Sequence, residues 1–236
     1  MSVSVYTMLQ SSQKAQIQSL DGSFPLEDAD FFVLYELDEI ICSAAAFIRE
    51  DDTTFECYAF TAPEFRRRGF FSEILDSAID ELDEDTEFIF YTNGNDRDTL
   101  AALDALEAEP VLEEYMMEIL LSDRTSSKHF SADDPFPLSV RTADMDGTET
   151  LQYETASGTV NISVFSTYYY LYGFEIREEL RGKGHGTVFL SQVMDDLARK
   201  NPMPLRLQVS GDNIPALALY KKTGFQITET LFGYLY

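Results

Sequence analysis

Leu180-Arg-Gly-Lys-Gly-His-Gly-Thr187 is the stretch from which the rest of this chain is read. Its glycines at 182, 184 and 186 are flanked by Arg181 and Lys183. They follow a strand-like run, Tyr168 to Ile176, and open a helix-like run, Thr187 to Lys200. Glycine reaches backbone angles closed to other residues and lets a ligand approach the main chain. A helix start offers amide N–H groups without intrahelical partners and the positive end of the helix dipole. Strand, glycine turn and helix together predict an anion site, with a phosphate or pyrophosphate as the anion. Spacing sets two common nucleotide loops aside. A P-loop needs four residues between its glycines, and Gly182 is followed at once by Lys183. A dinucleotide fingerprint needs Gly-x-Gly-x-x-Gly, and the third glycine here comes one residue early.

A second constellation lies about 30 residues further on: Val209-Ser-Gly-Asp-Asn213-Ile-Pro-Ala216-Leu-Ala-Leu219-Tyr220-Lys-Lys-Thr-Gly224-Phe225. Asn213 is placed to cap the following helix, Pro215 is tolerated in its first turn, and Gly224 ends it before a strand. Taken with Arg-x-x-Gly-x-Gly upstream, these residues closely resemble the two signature motifs of the GNAT superfamily of acyl-CoA-dependent N-acyltransferases. The chain resembles a tandem GNAT protein, with the full pattern in its second half and a degraded one in its first.

The resemblance implies roles residue by residue. Arg181, Gly184 and Gly186 match the loop whose amides hold the coenzyme A pyrophosphate, and Gly182, Lys183, His185 and Thr187 lie in the same turn. Phe174, Ile176 and Arg177 fall on the family's splayed strand, whose backbone pairs with the pantetheine arm. Asn213, with Ala216, matches the asparagine near that arm, and Tyr220 matches the tyrosine that protonates the departing thiolate. Acetyl-CoA is the implied cosubstrate, and no metal is called for. A phenol, with an ordinary pKa near ~10, is protonated at neutral pH and suits that donor role. For the base, Glu175 and Glu178 end the central strand, and Glu175 stands nearer the expected thioester. Strict alternation sets Glu175 on the face of Tyr169 and Leu171, opposite Tyr168, Tyr170 and Tyr172. His185 reads as a turn residue. The tyrosines, with Tyr234 and Tyr236, read as a packed sheet surface or a pocket lining.

The first half carries the same order of elements. Strand candidates Phe31 to Leu37, Ile40 to Arg49 and Thr54 to Phe60 are joined by short connections, so they form an antiparallel meander. Arg66-Arg-Arg-Gly69 then leads into a helix with apolar residues from Phe71 to Leu82. Strand, helix and strand follow, at Glu87 to Tyr91, about Asp98 to Ala108, and Glu113 to Leu121. Phe71 replaces the second small residue of the loop, and no tyrosine stands at the acid position. The expected fold is α/β (α+β): two tandem GNAT-like domains, each a mixed, mostly antiparallel sheet flanked by helices. A degenerate domain spans 1–125, a polar linker 126–137, and the coenzyme A-binding domain 138–236.

Composition narrows the partners. The chain of 236 residues has 44% hydrophobic residues and a formal charge of −25, of which residues 1–125 carry −22 and 126–236 carry −3. Such a field disfavours nucleic acid and anionic membranes, and attracts cations such as amines. No apolar run reaches the length of a membrane span. Met1-Ser-Val-Ser-Val-Tyr6 has no export pattern, so a cytoplasmic protein with Cys42 and Cys57 as reduced core thiols is expected. The expected acceptor is a small-molecule or peptide amine, with the oligomeric state left open. The enzyme reading is acetyl transfer by direct attack; a non-catalytic acyl-CoA-binding or partner-binding module is the alternative.

Overall fold

The computed structural model describes residues 2–82, 85–123, 137–145 and 147–236. Two compact units divide the chain: Met1–Val111 with Phe232–Tyr236, and Leu112–Leu231.

The first unit runs β1 (Ser2–Tyr6), α1 (Ser11–Leu20), β2 (Phe31–Leu37), β3 (Ile40–Arg49), β4 (Thr54–Thr61), α2 (Phe70–Ile79), β5 (Glu87–Thr92) and α3 (Arg97–Ala105). β1 to β4 pair antiparallel in chain order, and β5 joins β4 in parallel through the α2 crossover. A helical crossover is how parallel neighbours are connected. β3 reads as an unbroken apolar run because both of its faces are buried. Phe47 and Ala45 meet Ile74, Leu75 and Ala78 on one side, and Ala44 and Ala46 meet Leu9, Ile17 and Phe24 on the other.

The second unit takes up β6 (Glu109–Leu120) from Leu112 onward, then β7 (Ser139–Met145), β8 (Thr148–Thr155), β9 (Gly158–Val164), β10 (Tyr169–Ile176), α4 (His185–Lys200), β11 (Pro204–Ser210), α5 (Ile214–Lys222) and β12 (Gln226–Leu235). β7 to β10 form an antiparallel meander, β10 and β11 are parallel across α4, and β11 pairs antiparallel with β6. β11 alternates strictly, with Leu205, Leu207 and Val209 buried and Arg206, Gln208 and Ser210 exposed. One apolar cluster, built on Phe189, Leu190, Val193, Met194 and Leu197 of α4, fills the helix-bearing face.

The two halves thus repeat a meander, a turn, a helix, then strand, helix, strand, as expected. The units nevertheless divide at places other than 1–125 and 138–236. Residues 112–120 belong with the second unit because β6 pairs with β11, and 232–236 belong with the first because β12 there pairs with β5. Such pairings join segments far apart in sequence, beyond the reach of local patterning. β1 and β7 are additional strands. The linker reading, 126–137, lies outside the described residues except for Pro137.

Candidate functional site

The glycine stretch forms the link between β10 and α4. A 3₁₀ turn, Glu178–Leu180, is followed by Arg181 in an extended conformation. Gly182 (φ 71) and Gly184 (φ 85) then take left-handed angles. Gly184 is the N-cap of α4 and carries no capping side chain, and its carbonyl accepts from the Thr187 amide at 3.1 Å. Nothing lies within 4 Å of where a Cβ would stand on Gly182 or Gly184. Both basic side chains fold back on the turn. Arg181 Nε donates to the Ile176 carbonyl at 2.8 Å, its guanidinium lies 3.8 Å from the Glu175 carboxylate, and Lys183 Nζ donates to the Glu179 carbonyl at 2.8 Å. His185 and Gly186 open the helix, where Gly186 lies against Ile176, Leu219 and Phe174. This cap-free turn, with open space before it, fits the pyrophosphate that the resemblance implies.

Beside the turn the sheet opens. β10 and β11 pair only from Tyr169–Leu205 to Leu171–Leu207, although both strands run on, to Ile176 and Ser210. The later part of β10 is therefore not paired by β11, and the Ile176 carbonyl is taken instead by Arg181. The register of β10 against β9 shifts between Tyr172 and Glu175, where Gly173 takes φ 60. This bulge corrects the expected facing of Glu175. Phe174 and Ile176 join Tyr169 and Leu171 in the helix-side core, and Glu175 turns to the opposite, exposed face. A bulge inserts one residue and so inverts the alternation beyond it. Glu175 is 71% exposed in its side chain and pairs with Arg181.

On the helix-bearing side, Phe174 stacks on Phe189 at 5.6 Å, and Tyr220 meets Phe174 at 6.4 Å and Phe225 at 5.6 Å. Tyr220 is 6% exposed, and burial pushes its phenol up to about 12. Asn213 caps α5 by accepting from the Ala216 amide at 3.2 Å. Phe174, Ile176, the turn and Tyr220 are thus brought together around the strand gap, whereas Glu175 lies on the other face from Tyr220.

The first unit holds a copy of this backbone. Arg66 adopts φ −62, ψ 153 against φ −64, ψ 153 at Arg181, and Gly69 adopts φ 83, ψ 0 against φ 85, ψ −5 at Gly184. Arg66 Nε donates to the Thr61 carbonyl at 3.1 Å, as Arg181 does to Ile176. β4 and β5 also part, pairing only from Thr54–Glu87 to Glu56–Ile89. Asp96 caps α3 as Asn213 caps α5, a correspondence that the sequence carried and the motif comparison passed over. The side chains differ. Leu103, buried, stands where α5 has Tyr220; Phe71 packs against Phe90; and Asp98 pairs with Arg66 at 2.9 Å and Arg67 at 3.2 Å.

The profile of the Acetyltransferase (GNAT) family matches residues 98–225, more than half of the 236-residue chain. Three solved structures share the fold. A GCN5-related N-acetyltransferase from Sphaerobacter thermophilus aligns over 99% of this chain and 95% of its own, with TM-score 0.59 and 13% identity. A tandem GNAT protein from the clavulanic acid biosynthesis pathway, solved without AcCoA, aligns over 100% of this chain and 98% of its own, with TM-score 0.60 and 12% identity. A GCN5-related N-acetyltransferase from Anabaena variabilis aligns over 99% and 72%, with TM-score 0.54 and 11% identity. No curated protein matches the sequence. Among the described residues, no helix is long and apolar enough to cross a membrane.

Proposed function

Since the chain belongs to the GNAT acetyltransferase family, we propose that its second unit transfers an acetyl group from acetyl-CoA to an amine by direct attack, without an acyl-enzyme. The observation that carries this reading is the meeting of three features within one unit: a cap-free glycine turn, the parting of β10 from β11, and the buried phenol of Tyr220. Bound acetyl-CoA would supply the acetyl group already activated as a thioester. The amides from Gly182 to Gly186 and the positive end of α4 hold the pyrophosphate, with Thr187 closing the same turn by donating its amide to the Gly184 carbonyl, and Arg181 and Lys183 fix the shape of the turn. The backbone of Phe174 and Ile176 along the strand gap holds the pantetheine arm, with Asn213 and Ala216 at its side, and Arg177 anchors the strand end by donating its amide to the Ser157 carbonyl at 2.9 Å. Tyr220 keeps its proton at neutral pH and donates it from Oη to the departing sulfur. Glu175, on the exposed face, accepts the proton of the amine, directly or through a water.

The first unit is read as a substrate-shaping domain, because Leu103 supplies no proton and the carboxylate of Asp98 already engages Arg66 and Arg67. The buried free thiols Cys42 and Cys57 fit a reducing compartment, which supports the cytoplasm as its place.

The test is release of free thiol from acetyl-CoA over a broad amine panel. Tyr220→Phe should lower turnover by roughly 10²- to 10⁴-fold and leave coenzyme A affinity by calorimetry unchanged. Coenzyme A binding with no turnover on any amine would point instead to a non-catalytic acyl-CoA-binding module. Absence of binding would remove both readings.

A further inference from the structure

The end of β10 and the start of the glycine turn meet in one peptide unit, that of Ile176 and Arg177. Its carbonyl accepts from Arg181 Nε at 2.8 Å, and its N–H donates to the Ser157 carbonyl at 2.9 Å. In a trans peptide these two groups point in opposite directions, so the unit is gripped from both sides. Leu180 then donates its amide to the Arg177 carbonyl at 2.9 Å, which starts the 3₁₀ turn from the same residue. Where this peptide stands, the glycine turn must follow.

The first unit grips its copy in the same way. The Thr61 carbonyl accepts from Arg66 Nε at 3.1 Å, and the Ala62 amide donates to the Cys42 carbonyl at 2.9 Å. The residues that supply the second grip differ. Cys42 lies inside β3, which β2 and β4 pair on both sides. Ser157 lies instead in the two-residue loop between β8 and β9, beyond their last paired residues, Thr155 and Gly158. A hydroxyl pair takes the place of the ladder there. Thr155 Oγ1 accepts from the Ser157 amide at 3.1 Å and lies 2.7 Å from Ser157 Oγ in a second hydrogen bond. Both residues are buried, so the Ser157 amide would have no water to replace a lost acceptor.

The next residue along shows how closely this loop is set against β10. In the first unit Ser43, opposite Thr61, has room for a side chain that donates to the Phe60 carbonyl at 2.9 Å. Gly158, opposite Ile176, has none, because a Cβ there would run into the Glu175 carbonyl. The backbone of β9 thus abuts β10 at the point where β3 leaves space for a side chain beside β4.

We infer that Thr155 and Ser157 are positioning residues for coenzyme A. Their hydroxyl pair fixes the Ser157 carbonyl, the carbonyl fixes the Ile176–Arg177 peptide, and that peptide sets the spacing between the strand that takes the pantetheine arm and the turn that takes the pyrophosphate. The inference rests on the acyl-transfer reading above. One coenzyme touching strand and turn at once is sensitive to that spacing, since a site holds its geometry only as well as the hydrogen bonds behind it.

The experiment uses the full chain. Thr155→Val keeps the shape of the side chain and removes the hydroxyl. It should raise the coenzyme A Kd by calorimetry about fivefold or more, a change of about 1 kcal/mol. The KM for acetyl-CoA should rise with it, while kcat and the KM for the amine stay within about twofold. Thr155→Ser, which keeps Oγ, should restore the wild-type Kd. Thr150→Val removes another buried hydroxyl of β8 and should leave the Kd alone even where it lowers the unfolding midpoint. A Kd unchanged in Thr155→Val, one as weak in Thr155→Ser, or an equal rise in Thr150→Val would each overturn the positioning role alone. No coenzyme A binding by the wild type would remove the acyl-transfer reading and this role with it. Should Thr155→Val fail to fold, amide exchange of the wild type decides. Coenzyme A should then slow exchange at Arg177 about fivefold or more beyond any slowing at the buried Ile162 of β9, and equal slowing at the two overturns the role.

Discussion

Tyr220 owes its chemistry to its place on α5, where the inner face of the helix carries it under Phe174 and Phe225. Burial disfavours the phenolate and pushes the group up to about 12. A group raised in the folded state contributes stability that is fully present below its unfolded pKa of about 10 and is lost as pH rises through its folded value. If Tyr220 is the acid, acetyl transfer should not lose rate between pH 8 and 10 through this residue. An alkaline limb near 10 that disappears in Tyr220→Phe would contradict the burial of the phenol. At this scale Tyr220 and Asn213 were legible, since helix punctuation and spacing are local. The facing of Glu175 was not read by strict alternation, because Gly173 shifts it by one; the one local sign of that bulge is the isolated glycine that ends Tyr168-Tyr-Tyr-Leu-Tyr-Gly173.

Each of the two glycine turns is an element built from a 3₁₀ turn, an extended arginine tied back to the preceding strand, and a left-handed glycine N-cap. They share a backbone and differ in side chains, so a single coenzyme A should bind per chain by calorimetry, at the second unit. Two equivalents would mean that the first turn accepts coenzyme A despite Asp98. Gly184→Val should abolish that binding, because φ 85 costs a branched residue about 1–2 kcal/mol and its side chain would fill the open space before the turn. Gly158 holds the end of β10 from the other side. A Cβ there would stand 2.0 Å from the Glu175 carbonyl oxygen, a backbone atom with no freedom to yield. Gly158→Ala should cost about 2 kcal/mol or more in urea unfolding and weaken coenzyme A binding as the strand end shifts. The glycines and arginines of both turns were visible in the sequence. The reach of Asp98 back to Arg66 and Arg67 was not, because it joins residues about 30 positions apart in sequence that only the fold makes neighbours.

At the scale of the whole molecule, strand partners decide the limits of the units. Meanders and crossovers were legible because neighbours in sequence pair with each other. The membership of β6 and of the end of β12 was not, since it depends on pairing across more than 80 positions, as between Arg206 and Glu118. Removal of Phe232–Tyr236 tests this division. In the first unit, Phe88 and Tyr236 exchange backbone hydrogen bonds of 2.8 and 2.9 Å, and Ile89 to Thr92 lie opposite Leu235 to Phe232. The truncated chain should lose amide hydrogen-exchange protection at Phe88 by about an order of magnitude or more, while the amides of β11 in the second unit keep theirs. Equal loss in both units would mean that the two are not separate in stability.

The same strand bears on the order of events during synthesis. Phe232 follows Val111 by 121 positions, so at 5–20 residues per second the ribosome needs roughly 6–24 s to deliver it after the bulk of the first unit has emerged. For that interval β5 waits with one edge unpaired, an invitation to mispairing that the acidic surface of this half, by repelling other copies, is suited to discourage.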